Sequence, residues 1–317
     1  MTAEDEILLE TVAAVNMKGN LPKLDFHTVP EEDISGTDKD SPYSSINLGD
    51  LQPVEEALHN DLLFFNGYGG FTSDGEEYVI KLPVDDRGKH IVHPPNPWIN
   101  VIANEEFGFI ASERGSDYSW SLNSRENRLT PWSNDAVIDP IGEALYIRSE
   151  DEGIFWSPTP GPTPGSALYE VRHGFGYTPY FSKTMNIGQE VTKWVPRNDS
   201  IKLIRIRLSN SDLWPHTFSV FHYLEWVLGV QREHSSRYIV TEYESDIGAI
   251  FAQNRYNNEF SDRVPFAAFH TDSDILDQSF TADRTWFIGK NRGVTNPRAL
   301  TDEDRLNGRF GAGFDPC

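Results

Sequence analysis

The stretch Ile204-Arg205-Ile206-Arg207-Leu208, followed after a short turn by Phe218-Ser219-Val220-Phe221-His222-Tyr223-Leu224-Glu225-Trp226, decides the fold class. The first run alternates strictly between apolar and basic side chains. A strand does this when one face is buried and the other is wet, because successive side chains point to opposite faces. In the second run one parity reads Phe218, Val220, His222, Leu224, Trp226 and the other Ser219, Phe221, Tyr223, Glu225. Both parities are largely apolar, so this strand is expected inside a two-sheet sandwich, covered on both sides.

Runs of the same kind recur outward from these two, expected as strands over 201–208 and 217–228. They lie at 77–82, 98–104, 107–112, 144–148, 167–172, 177–185 and 190–195 before them, and at 237–242, 248–253, 265–270 and 285–288 after them. All are rich in Val, Ile, Tyr, Phe and Trp, and Gly, Pro, Asn and Asp separate them, as turns require. No long amphipathic helix interleaves with them. The pattern predicts an all-β fold, a large antiparallel two-sheet sandwich over residues 61–317. Residues 1–60 read as a short N-terminal helical and extended segment. An acidic first turn and the apolar face Ile7, Leu8, Thr11, Val12, Val15 predict a helix over 4–15. Residues 18–49 read as an extended linker, and a second short helix is expected over 53–60 with Pro53 near its start.

The 317 residues carry 27 Lys and Arg against 49 Asp and Glu, a formal charge of −22. Phosphate backbones and anionic lipid repel such a chain, which argues against nucleic-acid and membrane-surface partners. No run approaches the ~18 consecutive apolar residues of a bilayer span, and residues 1–10 carry no basic leader. The expected location is cytoplasmic, for this chain or for a larger protein that contains it. Cys317 is the one cysteine, which removes internal disulfides and thiolate zinc sites.

Residues 113–156 are the most unusual part of the chain. They hold Tyr118-Ser119-Trp120, Asn123-Ser124-Arg125-Glu126-Asn127-Arg128 and Leu129-Thr130-Pro131-Trp132-Ser133-Asn134-Asp135, and Trp156-Ser157-Pro158-Thr159-Pro160 closes the segment. Aromatic rings offer apolar faces, while Arg, Asn, Asp and Glu offer planar forks of donors and acceptors. A sugar presents the complement, C–H faces and pairs of hydroxyls. Trp120, Arg125, Asn127, Arg128, Trp132, Asn134, Trp156 and Thr159 are therefore candidate substrate-binding residues on a carbohydrate-facing edge. The competing reading puts the Trp side chains in the core and pairs Arg125 and Arg128 with Glu126 or Asp135 at the surface.

No catalytic residue is assigned. A Gly-x-Ser-x-Gly elbow is absent, and a glycosidase carboxylate pair cannot be selected from spacing alone. His90-x-x-His93 lacks a third ligand and runs into Pro94-Pro95, and His216 and His222 lie six apart on one strand face, with His222 among Phe and Leu. Both pairs are expected to be structural, with no metal and no organic cofactor. Gly67-Tyr68-Gly69-Gly70 fits neither nucleotide-binding pattern and reads as a turn with positive-φ glycines.

Several blocks carry a resemblance. Phe64-Phe65-Asn66-Gly67-Tyr68-Gly69-Gly70-Phe71, Trp98-Ile99-Asn100-Val101-Ile102-Ala103-Asn104, the segment from Asn123 to Asp135 and Phe155-Trp156-Ser157-Pro158-Thr159 resemble the N-terminal part of glycoside hydrolase family 94, formerly glycosyltransferase family 36. So do Arg172-His173-Gly174-Phe175-Gly176-Tyr177-Thr178, Glu225-Trp226-Val227-Leu228-Gly229 and Gly311-Ala312-Gly313-Phe314-Asp315-Pro316-Cys317. The chain looks most like the phosphorylase-like modules of cyclic β-1,2-glucan synthases, from about Leu62 to its last residue.

The resemblance implies a supersandwich of the galactose-mutarotase-like type, joined in the family through a helical linker to an (α/α)6 barrel. It implies phosphorolysis of β-linked gluco-oligosaccharides with inversion, with an Asp of the barrel as general acid and no cofactor. The chain stops where the family pattern goes on toward that barrel, so none of the family's catalytic or phosphate-binding residues is carried over and this chain alone is expected to be inactive. The implied partners are a β-glucan oligosaccharide, the missing barrel and a second copy in a homodimer. Loops of the sandwich help shape the catalytic entrance in relatives, and by position the loop 156–165 and the segment 125–135 are the candidates here. Three readings follow: a carbohydrate-binding and barrel-positioning domain, a purely structural interaction domain, and a free-standing mutarotase-like sugar enzyme. The last needs a His and a carboxylate poised on one concave sheet face.

Overall fold

A computed structural model describes residues 41–51, 62–272 and 275–317. The helices expected over 4–15 and 53–60 and the linker as far as residue 40 lie outside the described residues. Among the described residues sixteen strands follow one another: β1 (Ser44–Ser45), β2 (Gly69–Phe71), β3 (Tyr78–Pro83), β4 (Ile99–Ala103), β5 (Phe107–Ser112), β6 (Asp117–Ser121), β7 (Glu143–Ser149) and β8 (Ile154–Trp156). Then come β9 (Leu168–His173), β10 (Tyr177–Thr184), β11 (Ile187–Trp194), β12 (Leu203–Asn210), β13 (Phe218–Leu224), β14 (Ile239–Glu244), β15 (Ala249–Asn254) and β16 (Phe266–Ala268). Helical turns are short: α1 (Arg232–Ser235), α2 (Arg284–Ile288) and α3 (Arg298–Thr301). Among the described residues no helix is long and apolar enough to cross a membrane.

The strands form an antiparallel six-stranded sheet in the order β12-β11-β10-β9-β3-β2, a four-stranded sheet β1-β8-β7-β13, and two three-stranded sheets, β4-β5-β6 and β14-β15-β16. Only the short β1–β8 pair among these is parallel. Tyr43 to Ser45, at the end of the stretch read as a linker, thus belong to the sandwich: β1 pairs with β8, and the Tyr43 ring covers the Arg148 guanidinium at 4.0 Å.

The alternation in β12 follows from its place at the edge of the six-stranded sheet. Ile204 and Ile206 turn inward against a core of Ile80, Leu82, Val171, Tyr180 and Val191, which Leu145 of β7 meets from the opposite layer. Arg205 and Arg207 turn outward and share Glu190 of β11, at 2.9 and 3.0 Å.

β13 differs from expectation. It lies at an edge of the four-stranded sheet, and its second apolar face is covered by the C-terminal segment rather than by another sheet. Tyr223, with Tyr146 and Phe155, packs against Phe287 and Ile288 of α2 and Ala299 and Leu300 of α3, and the Tyr223 and Phe287 rings stack 4.9 Å apart. The strand expected over 217–228 ends at Leu224. The run at 285–288, expected as a strand, is the helix α2. Asp283 caps it by accepting from the Trp286 N–H at 3.3 Å, and Gly289 ends it at φ 86°. Of the glycines at 67–70, Gly67 has the positive φ expected of a turn, at 100°. Gly69 is needed for a different reason, because a Cβ there would stand 2.3 Å from the Val79 carbonyl oxygen across the sheet.

Candidate functional site

Strand β6 fixes where the candidate edge lies. Its pleat sends Tyr118 and Trp120 to one face of the three-stranded sheet and Asp117, Ser119 and Ser121 to the other. The polar set is the inward one. Lys193 Nζ donates to Asp117 Oδ2 at 2.8 Å and to the Gly115 carbonyl at 3.2 Å. Lys202 Nζ donates to the same Asp117 oxygen at 3.2 Å, to Ser119 Oγ at 3.1 Å and to Glu143 Oε2. The Ser119 and Thr130 hydroxyls each donate to Glu143 Oε1 at 2.7 Å. Burial alone would raise the Glu143 pKa, but the Lys202 ammonium and these hydrogen bonds outweigh it and hold the carboxyl at about 2. Burial dominates at Lys193 and lowers its pKa despite Asp117.

The outward face carries the aromatic cluster. Trp120 lies across the sheet from Gly108 of β5, and its ring occupies the place of a side chain there: a Cβ on Gly108 would stand 2.4 Å from it. Tyr118 packs against Trp120 at 5.3 Å and against Trp132 at 6.0 Å between ring centroids. The Arg128 guanidinium stands over the Trp132 ring at 5.3 Å and near the Tyr118 ring at 5.9 Å, a cation–π arrangement. Two anchors hold it there. Its Nη1 donates to the Val230 carbonyl at 3.0 Å, and its backbone exchanges hydrogen bonds with Gly229 at 3.1 and 3.2 Å. Burial pushes the Tyr118 phenol up, keeping it protonated at neutral pH.

Gly108→Ala is expected to displace Trp120 from the sheet, with a stability loss of about 1–3 kcal/mol from overpacking and a shifted Trp emission maximum. An unchanged emission spectrum would show that the ring does not depend on this glycine.

The eight sequence candidates divide. Trp120, Arg128 and Trp132 come together around Tyr118, and Trp132 is 43% exposed. Arg125 is exposed one turn away, 3.4 Å from Glu126, and Asn134 is exposed beyond Trp132. The other three are turned inward. Asn127 is buried and its side chain donates to the Ser121 carbonyl at 3.0 Å, while its backbone N–H closes the turn from 123 to 127 on the Asn123 carbonyl at 3.1 Å. Trp156 is 0% exposed, with its indole N–H on Gln189 Oε1 at 2.8 Å. Thr159 is buried and donates to the Gly161 carbonyl at 2.8 Å.

The loop 156–165, a candidate rim, is likewise interior, because both its sides are covered. Gly161 N–H donates to the Arg114 carbonyl at 2.8 Å on one side, and the Thr163 hydroxyl donates to the Thr295 carbonyl at 2.9 Å on the other. Tyr118, quoted with the segment but not chosen, is the ring that joins the cluster. Strict alternation on β6 was the signal for it.

The mutarotase-like reading needs a His and a carboxylate on one sheet face. Leu224 pairs with Glu143 and His222 with Leu145, so Glu143 and His222 share a face of the four-stranded sheet. Yet both Glu143 oxygens are engaged by Lys202, Ser119 and Thr130, which leaves the carboxylate a poor base. His216 Nε2 faces Asp212 at 3.0 Å, and His93 Nδ1 faces Glu113 at 3.5 Å. Among the described residues no three His, Cys, Asp or Glu side chains gather as a metal ion would need.

Comparison with known proteins fits this architecture. The family model described as the supersandwich domain of glycosyl hydrolase 94 matches residues 77–317. The chain is 36% identical over 273 residues to a cyclic beta-(1,2)-glucan synthase, NdvB, of Rhizobium meliloti (strain 1021), which is 86% of this chain and 9% of that protein. It is 27% identical over 258 residues to an N,N'-diacetylchitobiose phosphorylase of Vibrio furnissii, 79% of this chain and 30% of that one. A 3-O-beta-D-glucopyranosyl-beta-D-glucuronide phosphorylase of Paenibacillus borealis is 25% identical over 157 residues, 49% of this chain and 18% of its own length. The chain thus spans less than a third of each of these relatives. With its antiparallel sheets stacked in layers and a family match over most of its length, the chain belongs to glycosyl hydrolase family 94, whose supersandwich domain it carries.

Proposed function

We propose that this chain is a carbohydrate-facing domain of a β-glucan phosphorylase or a cyclic β-1,2-glucan synthase-like enzyme. It works beside an (α/α)6 barrel that supplies the chemistry, in the cytoplasm, and has no turnover alone. The supporting observation is the cluster of Trp120, Tyr118 and Trp132 with the Arg128 guanidinium clamped over it. Ring faces suit the C–H face of a glucosyl unit, and the remaining donors of Arg125 and Arg128 and the Asn134 amide suit its hydroxyls. The names of the relatives, which include a cyclic beta-(1,2)-glucan synthase and a 3-O-beta-D-glucopyranosyl-beta-D-glucuronide phosphorylase, support the same class of ligand.

The structural reading also has an observation in its favour. Ile99 and Val101 of β4 are 52% and 58% exposed on the same sheet face as Tyr118 and Trp120. Exposed apolar surface of this kind suits a docked domain. Titration with sophorose, the β-1,2-linked glucose disaccharide, separates the two. Saturable change in Trp fluorescence at millimolar sugar is the expected result, and a flat titration would leave the docking role in its place. Glucose 1-phosphate formed by this chain from sophorose and phosphate would overturn the claim that it lacks turnover.

A further inference from the structure

Beyond Arg128 the surface opens into a cavity of about 290 Å³, at the lower end of the ~300–1,000 Å³ typical of small-molecule sites. Tyr238 and Tyr256 stand at it with ring centroids 4.6 Å apart, and Tyr256 is 73% exposed. Gln231, His234 and Glu259 also line it. Among the described residues no hydrogen bond or ion pair engages those three side chains, so their donors and acceptors stay available. Buried Leu228 and Phe260 give it an apolar floor.

The chemistry of this lining selects its ligand. No Lys or Arg lines the cavity, and two carboxylates, Glu126 and Glu259, do. A phosphate or other anion is therefore disfavoured. Two aromatic rings, an apolar floor, an amide and carboxylate acceptors match a neutral pyranose, which needs a face to lie on and acceptors for its hydroxyls. The cavity is also contiguous with the aromatic cluster. Gly229 and Val230 line it, and they hold Arg128, whose guanidinium lies over Trp132. Glu126, in the turn just before Arg128, lines it as well.

We propose that this cavity is a second glucosyl subsite, so that one β-glucan chain lies on the Trp120–Trp132 cluster and extends past Arg128 to Tyr256. The inference rests on the carbohydrate reading of that cluster. It adds that recognition depends on chain length: once one unit is held on the cluster, contact at the second site is intramolecular and adds affinity without a second encounter.

The test compares sophorose with a linear β-1,2-glucan long enough to reach both places, by calorimetry on the whole chain and on Tyr256→Ala. The unmodified chain is expected to bind the glucan about tenfold more tightly than sophorose, and Tyr256→Ala to remove most of that advantage. Trp fluorescence, which reports the cluster, should still register sophorose in the variant. Equal glucan affinity in the two proteins would overturn the subsite while leaving the cluster reading intact. Absence of any sugar response in the unmodified chain would remove both. Should Tyr256→Ala lose its folded circular dichroism signal, Gln231→Ala and Glu259→Gln decide by the same ratio. Saturation by tetramethylammonium with unchanged glucan affinity would reassign the cavity to a cation and overturn the proposal.

Discussion

Lys202→Met is expected to destabilise the domain by about 3–5 kcal/mol in urea unfolding, the usual consequence of stranding a buried charge. The Lys202 side chain is 9% exposed and Glu143 4%, so water cannot replace the ammonium on Glu143 Oε2. Asp117 keeps Lys193 as a partner in the variant, which makes Glu143 the group left unbalanced. The double variant Lys202→Met with Glu143→Gln should recover part of the loss, because a neutral amide can still accept from Ser119 and Thr130. A single variant costing less than about 1 kcal/mol would mean that the pair is solvated. The pH dependence follows from the sign of the shift. Glu143 is held below its ordinary value near 4.5, at about 2. Its contribution, on the order of 3 kcal/mol, is complete above the unfolded value and lost as pH falls from about 4.5 through 2. In Lys202→Met that acid-sensitive component should largely vanish.

Trp156→Ala and Trp132→Ala are expected to fail in opposite ways. Trp156 is fully enclosed and hydrogen-bonded to Gln189. Its truncation leaves a cavity and an orphaned amide oxygen, for a loss of about 3–5 kcal/mol in denaturant unfolding. Sugar affinity of the protein that remains folded should not change. Trp132 is half out of the fold, packed on Tyr118 and Arg128, so its truncation should cost under about 1 kcal/mol of stability. Sophorose affinity should fall about tenfold, which corresponds to ~1.4 kcal/mol. Equal loss of stability in both variants would mean that Trp132 is structural, and the carbohydrate edge would then lose its most exposed ring.

Much of the fold was legible because strand periodicity survives in single stretches. β5 was read to the residue, Phe107–Ser112, and β12 gave its inner and outer faces correctly. The helix α2 was misread because Thr285, Trp286, Phe287 and Ile288 are β-branched or aromatic, favouring strands locally. Tertiary burial of Phe287 and Ile288 overrode that preference, and the capping Asp283 was the missed cue. Of the site, the cluster was legible as composition but its sidedness was not. On β6 the usual rule is inverted: Asp117, Ser119 and Ser121 point inward because Lys193 and Lys202, far away in sequence, neutralise that face. No local pattern announces a partner more than seventy residues away. Trp156 was misplaced for the same reason, since an aromatic residue beside Pro and Ser reads alike whether its loop is covered or bare. The Tyr238–Tyr256 cavity had no sequence signal, because its rings come from either side of the β14–β15 hairpin.

The cover that α2 and α3 provide over Tyr146, Phe155 and Tyr223 has a consequence for biosynthesis. Until residues 284–301 have left the ribosome, that side of the four-stranded sheet has no mate and its apolar residues face solvent. At ~5–20 residues per second the gap lasts on the order of seconds, long enough for holdase chaperones to matter. Premature stop codons upstream of Arg284 should therefore give insoluble nascent products rather than a smaller native body.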